Sequence, residues 1–281
     1  MRKLFLISFI FLLSFAQGQN CNLMFSYISA AAAWQPTDIA GCKLWLDAGQ
    51  GITKDINDYV SNWTDESLNG NDATQGTGAN QPLWVDNQLN GLPGIKFNAV
   101  AQFMEFTSGF LYNYPQFTIL FVIKPTLGAN GGIFAPTNTT GTGIHIISYG
   151  GGYVGINGAY PYVTGFFTNN TFTISTLTYS DVSTQGYNNG VPLAPNYGGV
   201  PLTFNGVYAI GKYAGSYYGG PFDLAEIIIY DSALGTTDRE TVENYLMAKY
   251  NLNVEWYIVG GLLIGLCYRR KIFYNQFKNA A

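Results

Sequence analysis

At 281 residues, with 11% charged residues, 16% aromatics and 34 glycines, the chain has the makeup of one large extracellular β domain rather than a cytosolic enzyme. Its formal net charge is −4, from 13 Lys and Arg against 17 Asp and Glu. No basic stripe is left to track a phosphate backbone, so nucleic acid is not an expected partner. The apolar content is enough for a two-sheet core without structural metals or many disulfides.

Arg2 and Lys3 precede an apolar run at 4–15, and Ala16-Gln17-Gly18 supplies small residues at cleavage positions. This reads as a secretory signal over 1–18, which makes the rest of the chain exported. An N-terminal segment at 19–37 then leads into a folded domain at 38–252. Cys21 and Cys42 lie beyond the cleavage point, in an oxidising compartment. They either bridge the N-terminal segment to the first strand or remain two free thiols. From Cys42 onward short apolar runs alternate with turn clusters. Strands are expected at 42–46, 95–97, 103–106, 117–123, 143–148, 153–156, 171–179, 186–188, 208–210 and 224–230. The run at 117–123 is continuously apolar, which fits a central strand. Asn189-Gly190 carries the signal of a tight hairpin.

Thr237 and Glu240 have capping-box spacing, and Val242, Tyr245, Leu246 and Tyr250 recur at three and four. One amphipathic helix is therefore expected near the C-terminus. Many short strands and one helix make the fold class all-β, a two-sheet antiparallel sandwich. Beyond Leu252 the composition changes. Residues 256–268 are uncharged and mostly apolar, and Arg269-Arg270-Lys271 follow. Within 253–281 this run is either a membrane anchor, tail inside and sandwich outside, or an apolar extension packed on the sandwich. Thirteen helical residues rise about 20 Å against a bilayer core of about 30 Å, which is short for a span.

The segment Asp223-Leu224-Ala225-Glu226-Ile227-Ile228-Ile229-Tyr230-Asp231-Ser232, continued by Glu243-Asn244-Tyr245-Leu246 and Lys249-Tyr250-Asn251-Leu252, resembles the closing strand and helix of laminin-G-like, concanavalin-A-like jelly-roll domains. Leu44-Trp45-Leu46-Asp47-Ala48, Trp63-Thr64-Asp65-Glu66-Ser67 and Asn90-Gly91-Leu92-Pro93-Gly94-Ile95 resemble earlier parts of such domains in the expected order. The likeness covers roughly 38–252. It implies a jelly roll whose members bind sugars, proteins or lipids, some of them being enzymes.

Catalysis finds little support in the residues. His145 is the single histidine and lies between Ile144 and Ile146, as a core or edge residue would. Glycosidases of the resembled superfamily carry alternating carboxylates on one strand. Here Asp223, Glu226 and Asp231 are the nearest candidates, and period-two alternation places Glu226 opposite the two aspartates. A metal is better supported. Asp65, Ser67 and Asn69 followed by Gly70 repeat the first half of a calcium loop, with Asn71 beside it, and laminin-G-like domains often hold one calcium. The alternative is an Asn-Gly surface turn making local backbone bonds. Ligand recognition rests on tyrosines among glycines: Tyr160 and Tyr162, then Tyr213, Tyr217 and Tyr218. A tyrosine ring with a polar tip suits a sugar or a protein surface. The expected function is a non-catalytic extracellular recognition or adhesion module for a glycan or protein. The alternatives are a structural surface, matrix or virion component and a glycoside hydrolase.

Overall fold

The computed structural model describes residues 34–267 apart from 99–100, 108, 112–113, 128–130, 138–142, 149–152, 157–162, 164, 181–182, 195–205, 214–216, 219, 253 and 260–261. The chain divides into two units, Met1–Trp34 and Gln35–Ala281, and the second holds all the elements below. In chain order its strands are β1 (Cys42–Asp47), β2 (Ile52–Lys54), β3 (Val60–Trp63), β4 (Ala73–Thr74), β5 (Leu83–Leu89), β6 (Leu92–Phe97) and β7 (Met104–Glu105). There follow β8 (Phe117–Pro125), β9 (Gly132–Pro136), β10 (Ile144–Ile147), β11 (Tyr153–Ile156), β12 (Thr173–Tyr179), β13 (Thr184–Asn188) and β14 (Val191–Pro192). The last are β15 (Tyr208–Ile210), β16 (Lys212–Tyr213), β17 (Tyr217–Tyr218), β18 (Phe222–Tyr230), β19 (Val254–Val259) and β20 (Leu262–Cys267), with helix α1 (Thr236–Lys249) after β18.

Two antiparallel eight-stranded sheets form the sandwich. The first runs β14-β13-β12-β8-β18-β6-β5, with β1 also paired to β18. The second runs β11-β10-β9-β15-β7-β4-β3-β2. Strand β8 is central as expected, flanked by β12 and β18 and buried along almost its whole length. Alternation sorts its side chains. Phe117, Ile119, Phe121 and Ile123 enter the core between the sheets, where Leu44, Leu46, Leu224, Ile227 and Ile229 meet Phe134, Tyr208, Met104 and Trp63. Truncating one of these rings, Phe121 for example, removes contacts worth about 3–5 kcal/mol. The Asn189-Gly190 turn between β13 and β14 has positive φ at both residues, 49° and 76°, as a two-residue hairpin of this hand requires.

Thr118, Leu120, Val122 and Lys124 point the other way, and α1 lies on that side. Val242, Leu246 and Tyr250 are buried against the outer face of the first sheet, which also carries Trp45, Ile228 and Tyr230. The Tyr230 hydroxyl donates to the Pro36 carbonyl, 2.9 Å, from the segment before β1. The helix does not start as its spacing predicted. Gly235 is the N-cap, Thr236 is the first helical residue, and no side chain caps the end. The buried face also holds a charge pair. Arg239 reaches Glu243 one turn on and stacks over the Tyr187 ring, 3.9 Å from its centroid. An apolar stripe alone does not describe this helix.

Strands β19 and β20 pair with each other, Val254 opposite Cys267 and Val259 opposite Leu262, as a separate two-stranded sheet. The described parts of the apolar run, 256–259 and 262–267, are thus strand rather than helix. Among the described residues no helix is long and apolar enough to cross a membrane.

Candidate functional site

The two outer faces of the sandwich differ, and the difference begins in β18. Leu224 pairs with Ile123 and Glu226 with Val122, so Ala225 is an extra residue in the ladder. This bulge resets the period-two count. Leu224 and Ile227 both enter the core, and Glu226 lands on the outer face with Asp223. The expected opposition of Asp223 and Glu226 is therefore corrected: they share a face. Asp223 takes Lys124 at 2.5 Å, Glu226 takes Lys249 at 2.7 Å, and Asp231 takes Lys43 at 3.1 Å.

Glu226 is the centre of a buried polar network beneath the end of α1. Its carboxylate accepts from Trp45 Nε1 at 2.7 Å, from Lys249 Nζ and from the Tyr250 hydroxyl at 2.8 Å. Lys249 also donates to Asp47 Oδ2 at 2.6 Å, and Gln50 and the Gly49 amide complete the Asp47 carboxylate. Burial pushes the Glu226 carboxyl above its usual range, with Lys249 pulling it back. Burial works against the Lys249 ammonium, but the two carboxylates outweigh it and raise its pKa. Every charge here has a partner, which fastens the helix to the first sheet.

The predicted calcium residues are engaged differently. Asp65 is buried, and its carboxylate accepts from the backbone amides of Trp45, Ser67 and Asn71 at 2.9–3.0 Å. Asn69 and Asn71 turn their side-chain amides inward, donating to the carbonyls of Cys42 and Lys43 at 2.9 and 2.8 Å. The loop thus ties itself to β1 through side-chain bonds to backbone groups 20 to 28 residues away. Among the described residues no group of three or more His, Cys, Asp and Glu side chains is placed to hold a metal. Cys42 carries a free thiol, and Cys21, its candidate partner, lies outside the described residues. Burial, then the nearby Asp65 carboxylate, pushes the Cys42 thiol up to about 12, far from reactive thiolate character.

The outer face of the second sheet is the one without α1. Residues alternating with core positions line up across it: Ala209 opposite Glu105, Glu105 opposite Thr74, Thr74 opposite Asn62, and Asn62 opposite Thr53. Over one end of this row folds a ribbon formed by β16 and β17. What sequence showed as a glycine-rich loop is a short hairpin, with Tyr213 opposite Tyr217 and Lys212 opposite Tyr218. Gly211, at φ 84°, turns the chain out of β15 to start it, in a conformation that costs glycine nothing. Gly132 lets it lie close, since a β-carbon there would stand 2.6 Å from the Lys212 carbonyl oxygen and 2.7 Å from Tyr213 Cβ. The Tyr213 ring meets His145 edge-on, centroids 5.2 Å apart, so the fully buried histidine supports the ribbon from below.

Lys212 connects ribbon and sheet. Its ammonium lies 3.0 Å from Glu105 Oε1 and 4.3 Å from the Phe103 ring centroid. Both partners are partly solvated, so the pair is worth at most about 1 kcal/mol. That is too little to be the reason the ribbon stays in place, and little enough for a ligand to displace. Of the five tyrosines singled out by sequence, Tyr213, Tyr217 and Tyr218 come together here, and Tyr160 and Tyr162 lie outside the described residues. Sequence reasoning missed Glu105, Lys212 and Phe103. Alternation with Met104 in the expected strand at 103–106 was the available signal for Glu105.

No protein-family model matches the chain, and no curated protein does. Solved structures do. The binding domain of Paraclostridial Mosquitocidal Protein 1 is similar at TM-score 0.55 and 18% identity, over 78% of this chain and 54% of that one. The receptor binding domain of botulinum neurotoxin D is similar at TM-score 0.54 and 14% identity, over 85% and 66%. Domain 4 of AbnA, a GH43 extracellular arabinanase from Geobacillus stearothermophilus in complex with arabinotriose, is similar at 0.50 and 16%, over 72% and 98%. This chain spans about half the length of the mosquitocidal binding domain. At these identities the likeness is one of fold.

Proposed function

We propose that this chain is an exported, non-catalytic recognition module that binds a glycan on the outer face of its second sheet. One observation carries the reading: a tyrosine-bearing ribbon folds over that face beside Glu105 and Lys212, while α1 covers the other. A polar row next to aromatic residues is the composition a sugar ring needs, hydroxyls meeting the polar groups and C–H faces meeting the rings. Three solved structures of this fold are named for binding or for a bound saccharide, which fits. The laminin-G-like resemblance of β18 and α1 fits as well. The basic start and apolar run of residues 2–15 support export. Against hydrolysis, Asp223, Glu226 and Asp231 are each neutralised by a separate lysine instead of facing one another across a glycosidic bond.

Glycan-array binding of the mature chain tests this. Wild type is expected to give saturable binding, and Tyr217→Ala with Tyr218→Ala to weaken it about tenfold or more, the usual effect of losing an aromatic anchor. Binding that survives both changes unaltered would remove the ribbon from the site.

A further inference from the structure

The ribbon does more than add tyrosines, because it also brings a cation against an anion at the centre of the proposed site. Lys212 arrives from β16 and Glu105 from β7, 107 positions apart in the chain, and they meet at 3.0 Å. The Lys212 ammonium is held over Phe103, and Glu105 stands between Ala209 and Thr74 in the row that continues to Asn62. The glutamate side chain keeps 39% of its exposure and the lysine 20%, so the pair is not sealed from solvent.

We infer that this pair reads two adjacent hydroxyls of a neutral sugar, a reading that rests on the glycan function proposed above. Each hydroxyl of a vicinal diol both donates and accepts. One donates to the Glu105 carboxylate and its neighbour accepts from the Lys212 ammonium, across a spacing like that of two hydrogen-bonded heavy atoms. Both bonds involve a charged protein group, so each is stronger than a bond between neutral groups. The same pair selects against acidic sugars. Lysine's charge is balanced by a carboxylate in contact with it, and a sugar carboxylate entering the site would face Glu105. A row with a lysine and no glutamate would favour the opposite ligand. Residue Tyr218 sits opposite Lys212 in the ribbon's register, which puts an aromatic position next to the diol reader.

The experiment is calorimetric titration of the mature chain with arabinotriose, cellotriose and maltotriose on one side and sialyllactose on the other. At least one neutral trisaccharide is expected to bind and sialyllactose not to. Glu105→Gln and Lys212→Met should each weaken that binding about tenfold or more, the loss expected for a hydrogen bond to a charged group. Glu105→Gln keeps the shape and is half exposed, so an unchanged melting curve serves as the folding control. Binding by none of the four overturns the glycan reading and this inference with it. Binding that falls in Tyr217→Ala but ignores Glu105→Gln, or that prefers sialyllactose, overturns this inference alone.

Discussion

Replacing Lys249 with methionine is expected to destabilise the domain by about 3–5 kcal/mol, measured by equilibrium urea unfolding near neutral pH. The change strands two carboxylates, Asp47 and Glu226, whose side chains are only 4% and 0% exposed. Against a typical domain stability of about 5–15 kcal/mol, that is a large share. The pH dependence gives the mechanism a second readout. Burial already raises the Glu226 pKa, and removing Lys249 takes away the interaction that lowers it. A carboxyl whose folded pKa lies above its unfolded value takes up its proton in the native state first. The variant should therefore regain stability as pH falls through the folded pKa of Glu226, with the gain complete below the ordinary Glu value of about 4.3. Adding Glu226→Gln should recover part of the loss at neutral pH. A midpoint unchanged by Lys249→Met would mean that this network contributes nothing to holding the helix.

The second large effect is expected at Gly132. Alanine there sets a methyl group against a backbone carbonyl oxygen of β16 and against Tyr213 Cβ, neither of which can swing aside as a side-chain tip would. The ribbon must lift. Overpacking of this kind costs about 1–3 kcal/mol, so the sandwich stays folded while the site is displaced. Glycan affinity is expected to fall about tenfold or more, because sites misplaced by a small distance lose most of their binding. Gly76→Ala is the control, since a β-carbon there meets nothing within 4 Å. Equal affinity for Gly132→Ala and wild type, read by the same titration, would show that ribbon placement is irrelevant to the ligand.

Sequence carried the body of the fold and little of the site, for physical reasons. Continuous apolar runs such as that of β8 and the end of β18 announce buried strands, and the Asn189-Gly190 turn announces its hairpin. Strand β5 went unseen because it is half exposed, with Asp86-Asn87-Gln88 interrupting any alternation. The face assignment of Glu226 failed at a bulge that no glycine or proline marks, where one uncounted residue inverts the rest of the strand. Thr237 and Glu240 had the spacing of a capping box, yet the chain turns into the helix at Gly235, and spacing cannot say which turn comes first. Arg239 and Glu243 are buried because they are paired, which hydrophobic periodicity does not register. The part of the Asp65 loop that no local pattern encodes is its attachment to β1, since the carboxylate takes the Trp45 amide 20 residues away as well as those of Ser67 and Asn71. The pairing of Glu105 with Lys212 joins positions more than a hundred residues apart, and no local pattern encodes it.

The most direct measurement is amide chemical-shift mapping of the protein, titrated with whichever neutral trisaccharide binds. Perturbations are predicted at 104–105, 132–136, 212–213 and 217–218, on the second sheet and its ribbon, with α1 and the Asp65 loop left unchanged. Shifts confined to α1, or to loops remote from Glu105 and Lys212, would contradict the assignment of the outer face of the second sheet as the place where this protein meets its ligand.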